Sequence, residues 1–118
     1  MSRRLQRLNV LIREEVSDLI RRELRDPRLA EIVTLTRVST SPDLRTATAY
    51  VSVMGDDEEK SGTMLALNHA APFIRRHLIR RISIRRTPDI HFTLDESMEE
   101  AAHILDLMKQ LPPADTNA

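Results

Sequence analysis

The chain has 118 residues, of which 41% are hydrophobic and 31% are charged, as expected for one soluble globular domain and not for a disordered or fibrous chain. It contains no cysteine, which excludes disulfides, thiolate zinc sites and cysteine nucleophiles and is compatible with a reducing cytosol. The sequence shows no signal-peptide pattern and no apolar run long enough to span a membrane, so we expect a cytoplasmic protein without membrane contact.

The formal net charge is zero, but the charges are segregated along the chain. Residues 1–28 carry eight basic and five acidic side chains, and residues 61–94 carry six basic and one acidic. Residues 95–118 reverse this balance, with one basic and six acidic side chains. Sixteen of the eighteen basic residues are arginine, whose planar fork of donors suits phosphate. The two basic segments therefore predict a local surface that attracts a polyanion.

The first half of the chain predicts a helix followed by a β-hairpin. Apolar residues recur at steps of three and four from Arg3 to Leu24, the pattern of an amphipathic helix, and Asp26-Pro27 ends it. The β-branched run Ile32–Val38 predicts a strand, and Thr46–Met54 predicts a second strand because its apolar residues alternate with mostly polar ones. A turn at 41–44 joins the two strands.

The second half predicts more helix and one strand. Residues 55–62 form an acidic stretch without the alternating ligands of a calcium site, and we interpret it as a solvated loop. An interior proline removes a helix hydrogen bond, so two short helices, over 63–71 and from Pro72 to about 81, are expected to meet at Ala70-Ala71-Pro72. A strand follows over 90–94, and a capping box at Ser97 opens a last helix that ends near Leu111.

The element order is therefore α-β-β-α-α-β followed by a further helix. Three strands cannot bury both faces of their sheet, so we predict an α+β fold with the helices on one face and the other face open. We expect residues 1–111 to form a single domain that includes the C-terminal helix from about residue 97, and residues 112–118 to form a flexible tail.

The sequence offers little for catalysis. The only glycines are Gly55 and Gly62, so no glycine-rich phosphate loop is present, and the four histidines match no zinc motif. No acid–base pair or serine triad can be assembled. We therefore expect no enzyme activity, no metal, no cofactor and no small-molecule substrate. A metal-dependent nuclease built on Asp56, Asp57 and the histidines is a remote alternative.

Nucleic-acid binding is better supported. Only Tyr50, Phe73 and Phe92 are aromatic, too few for a base-stacking platform, so contacts would run from arginines to phosphates and to the shape of the RNA. The alternative is an ordinary solvated helix surface with intrahelical pairs such as Asp18 to Arg22. The candidate RNA-binding residues lie on the second helical region and the segment after it, supplemented by the start of the first helix: Arg75, Arg76, Arg80, Arg81, Arg85, Arg86, Arg3, Arg4 and Arg7.

Several short motifs, in order over residues 3–110, resemble the ribosome-binding factor A family. They are Asp26-Pro27-Arg28-Leu29, Thr34–Val38, Ser41–Ala47, Tyr50–Val53, Ala70–Arg75, Ile84–Phe92 and Asp95-Glu96-Ser97. The resemblance implies a fold similar to the type II KH domain. It also implies a cytoplasmic, non-enzymatic assembly factor that binds the immature small ribosomal subunit and its rRNA, supports maturation of the 5′ end of that rRNA, and then leaves. We expect this factor to be a monomer.

One position departs from the family pattern. A glycine is expected after the alanines of the interhelical kink, and this chain has Pro72 there. Because proline fixes φ, we interpret Ala70, Ala71 and Pro72 as a structural corner and assign the RNA affinity to the neighbouring arginines. An alternative function is that of a protein-interaction adaptor, which would use the open sheet face or the amphipathic C-terminal helix.

Overall fold

The structure is a computed structural model and describes residues 2–111. The predicted tail at 112–118 lies outside the described residues. The helices and strands, in chain order, are α1 (Arg3–Arg22), β1 (Ile32–Thr40), β2 (Thr46–Met54), α2 (Asp57–Arg81), β3 (Asp89–Leu94) and α3 (Ser97–Gln110).

The three strands form one sheet in the order β1-β2-β3. The β1–β2 pair is the predicted antiparallel hairpin, with an irregularity between Leu35 and Arg37. The β2–β3 pair is parallel, so α2 is the crossover that parallel neighbours require. The helices α1 and α2 pack on one face of this sheet, which confirms the predicted α+β class.

The core lies between these two helices and the sheet. Fully buried side chains on α1 and α2, such as Ile12, Leu67 and Leu78, meet the inward side chains of the central strand. Two of those inward residues are the small Ala47 and Ala49, which leave room for the bulky side chains of the helices. The opposite sheet face is open and rich in hydroxyl groups, from Thr34, Ser39, Thr48, Tyr50, Ser52 and Thr93.

An asparagine from a helix satisfies backbone groups at each edge of the sheet. The backbone N–H of Thr40 on β1 donates to Asn9 Oδ1 at 2.9 Å. On β3, the backbone N–H of Phe92 donates to Asn68 Oδ1 at 3.0 Å, and Asn68 Nδ2 donates to the Phe92 carbonyl at 3.4 Å. These bonds attach α1 and α2 to the outer strands and occupy edge groups that would otherwise be open to pairing.

The prediction of two short helices meeting at Ala70-Ala71-Pro72 is wrong, because α2 continues through these residues as one helix. Proline removes its own N–H from the ladder and its ring crowds the preceding turn, which is a local cost. The side chains on either side of it are held by the core. Leu67 precedes Pro72 and Ile74 follows it, and both are fully buried. Packing of the helix against the sheet therefore outweighs the local cost of the proline.

The predicted loop at 55–62 is also wrong, since most of it is the first part of α2. Asp56 is the N-cap, and its carboxylate accepts the backbone N–H of Glu59 at 2.8 Å while the Glu59 side chain accepts the N–H of Asp56 at 3.2 Å. The acidic side chains of the first turn lie at the positive end of the helix dipole, where they are favourable.

The C-terminal helix is confirmed, but its predicted capping box is not. The N-cap is Glu96, without a side-chain hydrogen bond, and Ser97 is the first helical residue. Asp95 takes the place of the cap, since its carboxylate accepts the N–H of Ser97 at 3.0 Å and the hydroxyl of Thr36 at 2.7 Å. Within residues 2–111, no helix is long and apolar enough to cross a membrane.

Candidate nucleic-acid interface

The predicted arginines of α2 point in three directions. Arg76 and Arg80, one turn apart, lie on the exposed side of the helix, and we call these two residues the basic ridge. Neither makes an ion pair in the described part of the chain. A guanidinium without a carboxylate partner keeps its donors free for an anion, so phosphate binding by the ridge stays a prediction that this geometry allows.

Arg75 is turned toward β3. Its Nη2 and Nε atoms donate to the Thr87 carbonyl at 3.1 and 3.2 Å, and Nε lies 3.4 Å from an Asp89 carboxylate oxygen. These contacts hold the segment between α2 and β3 against the helix. Arg75 therefore has a structural role as well as its predicted binding role, and part of its donor capacity is occupied.

Arg81 is turned the other way, toward α1. Its Nε lies 3.4 Å from a Glu15 carboxylate oxygen, and His77 Nε2 lies 3.4 Å from the same oxygen. The three side chains join the two helices. Because Glu15 neutralises Arg81, this arginine is a weaker candidate for phosphate than its neighbours on the ridge.

The remaining predicted arginines lie at the start of α1 and in the segment after α2. Arg4 and Arg85 line one cleft of about 690 Å³, together with Leu5, Leu44 and Ile84. This cleft shows that the fold brings two sequence-distant basic segments together. Their five exposed arginines have no ion pair among the described residues, and we call them the basic end: Arg3, Arg4, Arg7, Arg85 and Arg86.

A second cleft, of about 590 Å³, lies between α2 and β3 beside Pro72. Its lining includes Arg75 and Arg76 from the helix and His91 from the strand. Sequence reasoning did not select His91 for RNA binding. The alternation of β3 in the sequence already places His91 on the exposed side of the strand. The position of β3 at the edge of the sheet, beside α2, is known only from the strand order of the structure.

Two carboxylates outside these clefts have strongly lowered pKa values. The Asp26 carboxylate has a pKa lowered to about 2, chiefly by a hydrogen bond from the Arg28 side chain. Hydrogen bonds from the side chain and then the backbone of Ser97, and from Thr36, likewise lower the pKa of Asp95 to about 2. Both groups are stabilised as anions that order turns. Residues 2–111 hold no cluster of three or more side chains able to ligate a metal.

Fold and surface together define a small α+β domain of KH-like topology that presents unpaired arginines from two helices. Comparison with known proteins gives the family. The family model for ribosome-binding factor A matches residues 4–108. A ribosome-binding factor A from Acetivibrio thermocellus is 47% identical over 107 residues, covering 91% of this chain and 87% of the relative. The chain belongs to the ribosome-binding factor A family.

Solved structures agree with this assignment. The solution structure of a Thermotoga maritima protein described as a putative ribosome-binding factor A has 34% identity and a TM-score of 0.70, and the match covers 79% of this chain and 88% of that one. Coordinates of the Thermus thermophilus factor, fitted into a cryo-electron-microscopy map of its complex with the 30S particle, have 27% identity and a TM-score of 0.65. That match covers 78% of this chain and 96% of the other.

Proposed function

We propose that this chain is a cytoplasmic assembly factor that binds the immature free small ribosomal subunit through its rRNA. It acts as a monomer without catalytic activity, supports late maturation that includes 5′-end processing of the small-subunit rRNA, and then leaves. The observation that carries this proposal is the concentration of exposed arginines on the basic ridge and the basic end, none of which makes an ion pair within residues 2–111. The 30S complex of the Thermus thermophilus relative supports the choice of particle.

The chemistry of the surface favours the RNA backbone over the bases. Of the three aromatic side chains, Phe92 is buried and Phe73 is half-buried. The third, Tyr50, has the Arg37 guanidinium 4.1 Å from its ring centroid, so one face of its ring is already covered. Contacts to phosphate oxygens by arginine are therefore the main interaction available to this surface, and such contacts give affinity that falls with salt.

The ridge can be tested with a charge-matched pair of variants. Arg76→Ala/Arg80→Ala removes two unpaired arginines, whereas Arg21→Ala/Arg22→Ala removes two that already pair with Asp18 at 3.0 and 3.1 Å. With purified free small subunits, we expect the ridge variant to sediment with an affinity about tenfold or more below that of the wild type. The α1 variant should stay close to the wild type. Equal effects of the two variants would contradict a specific role for the ridge.

The maturation part of the proposal needs a cellular measurement. Cells that carry only the ridge variant should accumulate small-subunit rRNA with an unprocessed 5′ end, and cells with the Arg21→Ala/Arg22→Ala variant should not. If the ridge variant no longer binds free subunits but its cells still contain rRNA with normal 5′ ends, this protein has no role in 5′-end processing. That outcome would leave the binding activity in place.

A further inference from the structure

The cleft at the basic end, which we call the end cleft, has an apolar floor. It lies where the start of α1, the hairpin turn at 41–44 and the segment after α2 meet, and its volume of about 690 Å³ is typical of a pocket for a small molecule. Arg4 and Arg85 are exposed and form its rim. The end cleft therefore joins two positive charges to an apolar surface, most of which is buried or half-buried and which consists of Leu5, Leu8, Pro42, Leu44 and Ile84.

The rim charge of the end cleft is not neutralised from within the cleft. None of the lining residues that the structure describes is acidic. The nearest acidic residue in the sequence, Asp43, is engaged inside the hairpin turn, where its carboxylate accepts the Ser41 hydroxyl at 2.7 Å and the backbone N–H of Arg45 at 3.1 Å. The end cleft is therefore complementary to an anion.

The first turns of α1 and α2 support the same conclusion. The first turn of α2 carries Asp57, Glu58 and Glu59, which are favourable at the positive end of the helix dipole. The first turn of α1 has no acidic residue and begins with Arg3 and Arg4 instead. Cations at this end are unfavourable for a helix, so the stability of α1 does not explain these arginines. A bound phosphate would offset their repulsion.

A nucleotide of single-stranded RNA has both of the parts that the end cleft can bind. Its base is flat with apolar faces, and the phosphates on either side of the base are anions that arginine binds. A base inside an RNA helix is stacked between its neighbours, whereas an unpaired base can be turned out of the strand and bound by protein. The apolar floor therefore favours unpaired RNA, and the rim charge favours RNA over a neutral ligand.

We propose that the end cleft takes one unstacked nucleotide of the small-subunit rRNA, with its base against the apolar floor and its flanking phosphates on Arg4 and Arg85. This inference rests on the proposed function, because the subunit supplies the RNA. It adds a preference for unpaired RNA to the phosphate contacts of the basic ridge. The proline ring and the aliphatic side chains of the floor contact the base in place of an aromatic platform.

Leu44 allows the floor to be changed while the hairpin turn is kept. Its φ is 61°, in the left-handed region that leucine rarely adopts and that asparagine adopts more readily. Leu44→Asn therefore removes an apolar side chain from the floor and suits the backbone of the turn. The control is Leu65→Asn, which makes the same replacement at a leucine of α2 that is 63% exposed and lies outside the end cleft. Urea unfolding checks that both variants are folded.

Three RNA hairpins measure the preference for an unpaired base. One has a single bulged uridine in its stem, the second has an abasic bulge at the same place, and the third is fully paired. At low salt we expect the wild type to bind the bulged uridine about five- to tenfold more tightly than the other two. Leu44→Asn should lose this preference, and Leu65→Asn should keep it. Equal wild-type affinity for the bulged and abasic hairpins would overturn the inference, and that comparison needs no variant.

A photo-reactive cross-linker at the exposed position 83, which lines the end cleft, identifies the occupant on free small subunits. The inference expects cross-links to one unpaired nucleotide of the rRNA. Cross-links to a ribosomal protein, to paired rRNA, or to nothing on particles that do bind would overturn it. Binding of uridine monophosphate as tight as that of the bulged hairpin would also overturn it, because the cleft would then be a site for a free nucleotide.

The failure of this inference can be told apart from the failure of the proposed function. If the wild type binds free small subunits with salt-dependent affinity but shows neither the hairpin preference nor the cross-link to unpaired rRNA, only this inference fails. If the wild type does not bind free small subunits, the proposed function fails as well.

Discussion

The helices α2 and α3 carry similar apolar residues but differ in what covers them. Leu67, Ile74 and Leu78 of α2 are fully buried against the sheet, whereas no residue of α3 is buried. The sequence pattern of α3 is the more regular of the two, since the stripe of α2 is interrupted by Pro72 and by an acidic first turn. The comparison shows that periodicity identifies the side of a helix that would be buried, and that the partner of that side must be found from the fold.

The largest expected effect compares one leucine in each helix. Leu78→Ala removes a fully buried side chain and should lower the free energy of unfolding by about 2–5 kcal/mol through lost burial and a cavity. Leu105→Ala removes a side chain that is 57% exposed and should change the free energy of unfolding by less than about 0.5 kcal/mol. Urea unfolding of the isolated chain measures both. A comparable loss in the two variants would mean that α3 packs on the body in solution.

A smaller effect is expected from the hydrogen bonds that attach α2 to β3. Asn68→Ala removes the acceptor and donor that pair with the backbone of Phe92. We expect a loss of about 1 kcal/mol, since water can replace part of the bonding at this exposed edge. His103→Ala on α3 serves as the control, because that side chain makes no hydrogen bond in the described structure. If urea unfolding gives the same free energy of unfolding for both variants, the hydrogen bonds between Asn68 and the backbone of β3 do not stabilise the fold.

The smallest effect concerns Asp95, at the junction between β3 and α3. Its folded-state pKa of about 2 lies below the ordinary aspartate value of 3.8, so its ionised form favours folding. That stability is fully present above pH 4 and is lost as pH falls toward 2. Asp95→Asn should therefore flatten the decline of thermal stability between pH 4 and pH 2, and Asp106→Asn on α3 should leave it unchanged. If the Asp95→Asn variant loses as much thermal stability between pH 4 and pH 2 as the wild type does, the pH dependence arises from other carboxylates.

Much of the body could be predicted from local sequence. The spacing of apolar residues in α1 and the alternation in β2 gave their extents closely, because each element has one buried side. The start and continuity of α2 were missed. The signal for its start, Asp56 followed by Glu59, was present but was interpreted as part of a solvated acidic loop. Its continuity through Pro72 depends on packing against the sheet, which local rules do not include.

The candidate site could be predicted only in part. Counting arginines located the basic segments, and α1 and the segment after α2 do meet at one cleft. The directions of individual side chains could not be predicted, since they depend on neighbours distant in sequence. Arg75 is held by Thr87 and Asp89, and Arg81 by Glu15 on another helix. A cluster of arginines in the sequence therefore predicts a basic surface, but it does not show which of these arginines already form ion pairs within the protein.

The most direct test of the account is the salt dependence of binding to free small subunits, measured for the wild type and for Arg76→Ala/Arg80→Ala. If the ridge contacts phosphates, the logarithm of the wild-type association constant falls steeply with the logarithm of salt concentration, and the variant's slope is shallower by about 1 to 2. The Arg21→Ala/Arg22→Ala control should keep the wild-type slope. A ridge variant that loses affinity with an unchanged slope would contradict phosphate recognition by the basic ridge.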